Sequence, residues 1–323
     1  LDFLTNLKNR NMLLRKIFDP RKVVSYMRYE LLFSTALAIL VWALFVHWKV
    51  QGIALPFSIA ATLGGALAIF LGFRNNSSYG RWWEARQLWA GIVNSSRVLA
   101  RLVVTFTDSH SHQANYQKDR SENFKKSLVY KQIAWVHALR LHLRKQENWQ
   151  EIKPFLSESE FGELMASQNK PNYLQIMMGR QIYTAMADGT LGGFDSFQME
   201  GQLLALANHQ GGCERIKNTP LLRQYHFFTL LFLYAFMILL PFCLIGDFHK
   251  LGIANMMIPI SVFISFVFGT IAKVGEVNED PFENLRTDVP MTSICNTIER
   301  DLRETLGEKK LPSIIAPLDG ALM

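Results

Sequence analysis

The residues best equipped for chemistry lie at three places. Asp108, His110 and His112, in the run DSHSHQANYQKDRSE, bring a carboxylate and two imidazoles close in sequence. Such groups ligate metals. Their i, i+2 spacing in a polar, Ser-containing stretch does not gather them on one helix face, and a solvated loop over Asp108–Glu122 is the better reading. Arg81, Trp82 and Trp83, in SYGRWWEAR, set a cation beside two indoles. Arg81 suits a carboxylate such as Glu84 or one across an interface. The Trp pair suits a membrane–water boundary or a packed wall, and packing outweighs direct contact with an ion. The third place is apolar. Gly65, Ile69 and Phe73 stand four apart in an uncharged run. In a ring of copies such residues form a constriction that gates ions by dewetting; alone they face lipid or a neighbouring helix, and both readings stay open.

Catalytic signatures are missing. The sequence contains no GxxxxGK[ST], no GxGxxG after a strand, no HExxH and no GxSxG. We expect no enzyme, no cofactor and no metal centre. Cys213, Cys243 and Cys295 are scattered without a CxxC pair, and reduced thiols are expected.

These residues must be positioned by membrane helices. Four blocks are almost purely apolar: Leu31–Trp48, Gly52–Phe73, Phe227–Ile245 and Ile253–Ala272. About 20 apolar residues cross a hydrocarbon core of about 30 Å. Leu55-Pro56 is a natural start for the second helix. That helix continues without a break into RNNSSYGRWWEARQLWAGIVNSSRVLARLV, so one rod serves an apolar and a water-exposed part. Beside its candidate pore stripe runs a small-residue stripe, Ala60, Gly64, Ala68 and Gly72, which allows close helix approach. No ionisable residue stands mid-span, where proton-coupled carriers place one.

Basic residues crowd before the first span and between the second and third, while the short hairpins carry only Lys49 and Lys250. The positive-inside rule then places the N-terminus, the long middle segment and the C-terminus in the cytoplasm. The net charge of +7 reflects this bias, and no nucleic-acid partner is expected. The basic leader is too long for a secretory signal. The chain opens on Leu1 rather than Met and is expected to be trimmed.

The expected organisation is all-α. Residues 1–29 form an amphipathic cytoplasmic segment, 30–73 the first two spans, 74–223 a helical cytoplasmic domain, 224–274 the last two spans, and 275–323 a cytoplasmic C-terminal segment. Periodicity predicts helices over Asn123–Lys145, Ser157–Gln168, Tyr173–Asp188 and Phe197–Ala207, with Gly192-Gly193 and Gly211-Gly212 as punctuation.

Three strings resemble bacterial members of the bestrophin family, in that family's order: IFLGFRNNSSYGRWWEAR (Ile69–Arg86), GGCERIKNTP (Gly211–Pro220) and EDPFENLRTDVPMTSICNTIERDL (Glu279–Leu302). The resemblance covers nearly the whole chain. It implies a bacterial inner-membrane homopentamer around one central pore, passing monovalent ions through an apolar neck and a cytoplasmic aperture. The neck positions fall on Gly65, Ile69 and Phe73; Gly65 stands where the family usually has a bulky aliphatic. The aperture falls on Ile176 or Met177. Arg74 would favour anions if it faces the pore, and leaves cations open if it pairs with a carboxylate. Animal members carry a calcium clasp after the fourth span. Here the matching run, Asp280 to Asp288, has Leu285 at a key acidic position, with Arg286 and Thr287 as its neighbours, so no animal-type calcium gate is expected. Asp288 reads instead as the N-cap of a helix starting near Met291. The competing reading of the whole chain is a non-conducting membrane scaffold.

Overall fold

The computed structural model describes residues 26–112, 116–285 and 287–316. The proposed amphipathic segment lies almost wholly outside them, as does Arg286. The described residues are helical, without strands, and divide into two compact units.

The first unit holds residues 26–82 and 220–280. Helix α1 (Arg28–Trp42) runs on through a π turn, Ala43–His47. Helix α2 (Phe57–Thr107) begins one residue after Pro56 and continues unbroken for 51 residues, about 77 Å at about 1.5 Å per residue. Helices α7 (Arg223–Lys250) and α8 (Met257–Val277) complete the unit. All four are long and apolar enough to cross a membrane. Their core joins Val41 of α1, Phe45 of the π turn, Leu67 and Leu71 of α2 and Leu233, Phe236 and Leu240 of α7. Ser34 donates to Ser265 at 3.0 Å, tying α1 to α8 through a buried hydrogen bond.

The second unit includes residues 83–219 and 281–316. Helix α3 (Lys118–Leu143) is its centre, flanked by the second half of α2, by α4 (Glu158–Ala166), α5 (Lys170–Ala187), α6 (Gly193–Asn218) and α9 (Met291–Thr305). Leu128, Ile133, Trp135 and Leu139 of α3 are fully buried. Each such aliphatic side chain contributes about 1.5–3 kcal/mol. Two buried hydrogen bonds cross between its helices: Trp135 Nε1 donates to Gln210 at 3.2 Å and Gln132 to Ser96 at 2.8 Å. Ser157 caps α4 reciprocally with Glu160, and Asn169 caps α5 by accepting from the Asn172 N–H at 3.0 Å. Cys213, Cys243 and Cys295 are free and buried. Burial pushes the Cys213 thiol up and the Cys295 thiol up to about 12.

Three boundaries differ from the sequence expectation. Helix α3 starts at Lys118, so the expected loop is shorter. Helix α6 extends over Gly193–Asn218, well beyond Phe197–Ala207. It therefore runs through Gly211-Gly212, which do not punctuate it. A Cβ on Gly212 would stand 2.8 Å from Leu88, so this glycine admits a close neighbour instead of making a turn.

Candidate functional site

Helix geometry decides which α2 residues can share a face. A stride of four turns about 40° past a full revolution. The small-residue stripe therefore drifts: Ala60 and Gly64 are buried, while Ala68 and Gly72 are exposed. Gly64 lets Phe236 of α7 come within 3.1 Å of where a Cβ would be. The buried stripe continues through Leu67, Leu71, Arg74 and Ser78. Gly65, Ile69 and Phe73 lie on the uncovered side. Nothing comes within 4 Å of a Cβ placed on Gly65, and Ile69 and Phe73 are 65% and 66% exposed. The small stripe thus seals the helix at one end only, and the three apolar positions share an open face.

Arg74 sits on the opposite side, 1% exposed. Its Nη2 lies 3.1 Å from Glu279 Oε2 and 3.0 Å from His226 Nδ1, and Nη1 donates to the Ala272 carbonyl at 3.4 Å. Its charge is met by a carboxylate and turned away from the face of Ile69 and Phe73. Sequence reasoning missed Glu279 and His226 as partners. The available signal was Arg74 itself: a cation at the end of an apolar helix requires a counter-charge.

Arg81 donates to the Glu279 carbonyl at 2.9 Å and pairs with Asp280 at 3.6 Å. Glu84 pairs with Arg215 of α6. Trp82 stacks on Tyr79, with centroids 6.2 Å apart.

The two aperture candidates separate on α5. Ile176 faces outward at 42% exposure, and Met177 packs into the core of the second unit. Tyr183 continues the exposed side of α5, and Phe197 and Leu204 are exposed on α6.

Asp288 is not a helix cap. Pro290 holds the N-cap position of α9, and Asp288 Oδ2 instead accepts the Leu285 N–H at 3.1 Å, closing a turn within its own loop. The residue spacing looked right for a cap, but the intervening Pro290 fixes the backbone for the helix start. Asp288 Oδ1 is buried with no hydrogen-bond partner. Burial raises this carboxyl to about 6, against the pull of the Leu285 and Glu283 backbone and of Arg144. In the polar loop, Asp108 is engaged by Lys125 at 2.6 Å, and that hydrogen bond holds its carboxyl below the usual range. Among the described residues no three His, Cys, Asp or Glu side chains are grouped to hold a metal.

Among the described residues, four apolar helices and no strand define a multi-pass membrane protein. The model of the bacterial/fungal bestrophin proteins matches residues 6–304, and the chain belongs to that family. It is 34% identical over 299 residues to the voltage-dependent anion channel-forming protein YneE of Escherichia coli (strain K12), covering 92% of this chain and 90% of that one. It is 30% identical to the voltage-dependent anion channel-forming protein RSc3414 of Ralstonia nicotianae, covering 85% of each. The crystal structure of a bacterial bestrophin homologue from Klebsiella pneumoniae superposes with a TM-score of 0.77 at 31% identity, over 88% of this chain and 100% of that one.

Proposed function

We propose that the chain is a bestrophin-type channel that passes small monovalent ions down their gradients. The carrying observation is the open apolar face of α2, where Ile69 and Phe73 stand exposed beside Gly65 while the opposite stripe packs into the core. A homopentamer would turn five such faces to one axis, with Gly65, Ile69 and Phe73 as the neck and Ile176, rather than the buried Met177, at a cytoplasmic aperture. The exposed Tyr183, Phe197 and Leu204 of the second unit suit contacts between copies, because a solvated surface rarely leaves large apolar side chains uncovered together. The positive-inside bias supports cytoplasmic termini in a bacterial inner membrane.

Neither ion sign gains from charge at this neck, since Arg74 is neutralised by Glu279. The relatives, named as anion channel-forming proteins, favour anions. Reversal potential in planar bilayers, with purified protein under a KCl gradient, tests both points. A shift toward the chloride potential makes the channel anionic. A shift toward potassium makes it cationic. Absence of current across pH and calcium refutes conduction and leaves a membrane scaffold.

A further inference from the structure

Arg74 ties the Phe73 end of the proposed neck to titratable chemistry. A guanidinium only donates hydrogen bonds. Nη2 carries two hydrogens, one directed at Glu279 and one at His226 Nδ1. His226 therefore accepts through Nδ1 and keeps its single proton on Nε2. A second proton has one place to go, the Nδ1 lone pair that holds Arg74. Adding it deletes that bond and sets an imidazolium against the guanidinium. The two cations then compete for Glu279.

The position lends this exchange leverage. Tyr225, the neighbour of His226, stacks on Phe70 with centroids 5.5 Å apart. The first turn of α7 thus holds α2 at Phe70 and Arg74, one helical turn apart, with Phe73 between them. His226 is partly exposed, whereas Arg74 is buried.

Of the surrounding charges, Glu30 of α1 is a further carboxylate, its Oε2 buried without a hydrogen-bond partner. On α2, Arg81 is paired with Asp280. On α8, Lys273 pairs with Glu276 at 2.8 Å. Arg223 stands on α7 itself, and α1 brings Arg28 and Glu30, of which Arg28 bonds Tyr29 at 2.8 Å. Glu279 remains the carboxylate bonded to Arg74.

We propose that His226 is a proton-operated latch on the neck helix: neutral, it holds Arg74 and steadies Phe73; protonated, it lets go and conduction rises. The proposal rests on the channel reading above.

The test is chloride and potassium efflux from liposomes carrying the purified protein, compared at about pH 7.5 and about pH 5.5. Wild type is expected to gain about tenfold in flux on acidification, the scale of losing one charge-assisted hydrogen bond. His226→Asn keeps an acceptor for Arg74 and cannot be protonated, so its flux should stay flat. His226→Arg carries a permanent cation and should be high at both ends. Each variant is first checked for wild-type elution as an oligomer. A flat wild type, a flux that falls in acid, or an equal acid response in His226→Asn overturns the latch. If no protein conducts at any pH, the channel reading fails, and the latch is then judged on melting of the detergent-solubilised protein. An acid-induced loss of melting temperature in wild type that is absent in His226→Asn supports it; equal losses overturn it.

Discussion

Replacing Asp288 with Asn should stabilise the second unit, and only at high pH. The carboxyl is 7% exposed, one oxygen accepts the Leu285 N–H at 3.1 Å, and the other has no partner. Burial raises it from 3.8 to about 6. A shift of about 2 units corresponds to about 3 kcal/mol at about 1.4 kcal/mol per unit. The folded chain holds this proton more tightly than the unfolded chain does. Stability from this group is therefore complete below the unfolded value and is lost as pH rises through about 6. Asn keeps an acceptor for Leu285 and drops the charge. Asp288→Asn should gain up to about 3 kcal/mol at about pH 8 and close to nothing at about pH 4. Denaturation of the detergent-solubilised protein across that range measures it. A gain that is the same at both ends, or a loss at the alkaline end, would refute the argument from burial. The same experiment with calcium or a chelator present bears on the loop's chemistry: a calcium-dependent rise in wild-type stability that Asp288→Asn abolishes would show that the carboxylate ligates the ion after all.

Ile69→Ala and Phe73→Ala should each raise single-channel conductance; unchanged currents in both would remove these positions from the narrow part of the path. Glu279→Gln strips the buried Arg74 of its counter-charge and should cost about 3–5 kcal/mol, read as a lower melting temperature in detergent, with an unaltered melt counting against the ion pair. Ser157→Ala deletes half of a reciprocal cap and should cost about 1 kcal/mol in denaturant unfolding. Gly212→Leu should disrupt the approach of Leu88 and lower the yield of folded protein, whereas normal yield and stability would mean that this contact tolerates bulk.

Much of this arrangement is legible in the chain because lipid imposes strong rules. A run such as Gly52–Phe73 admits few structures besides a helix, and the three motifs around the spans carry the family. The face of Gly65, Ile69 and Phe73 follows from counting by four. What could not be read is what depends on distant partners. Arg74 lies beside Phe73 in sequence, yet faces the other way because Glu279 and His226 await it from α7 and the segment after α8. Gly211-Gly212 resemble a break, but a helix tolerates glycine where a neighbour such as Leu88 needs the room. Asp288 has the spacing of a cap, and Pro290 takes that place. Ile176 and Met177 are adjacent in sequence and of similar character, and only the packing around α5 tells them apart.

The three buried cysteines have a practical consequence. Cys213 and Cys295 are held as unreactive thiols by burial, and Cys243 is enclosed within α7. To a polar thiosulfonate or maleimide reagent the native chain is close to blank. A cysteine introduced at Ile69, Phe73 or Ile176 would report its own accessibility, without first stripping the native thiols from the protein. Labelling rates from each side of the membrane could then chart the route of permeation residue by residue.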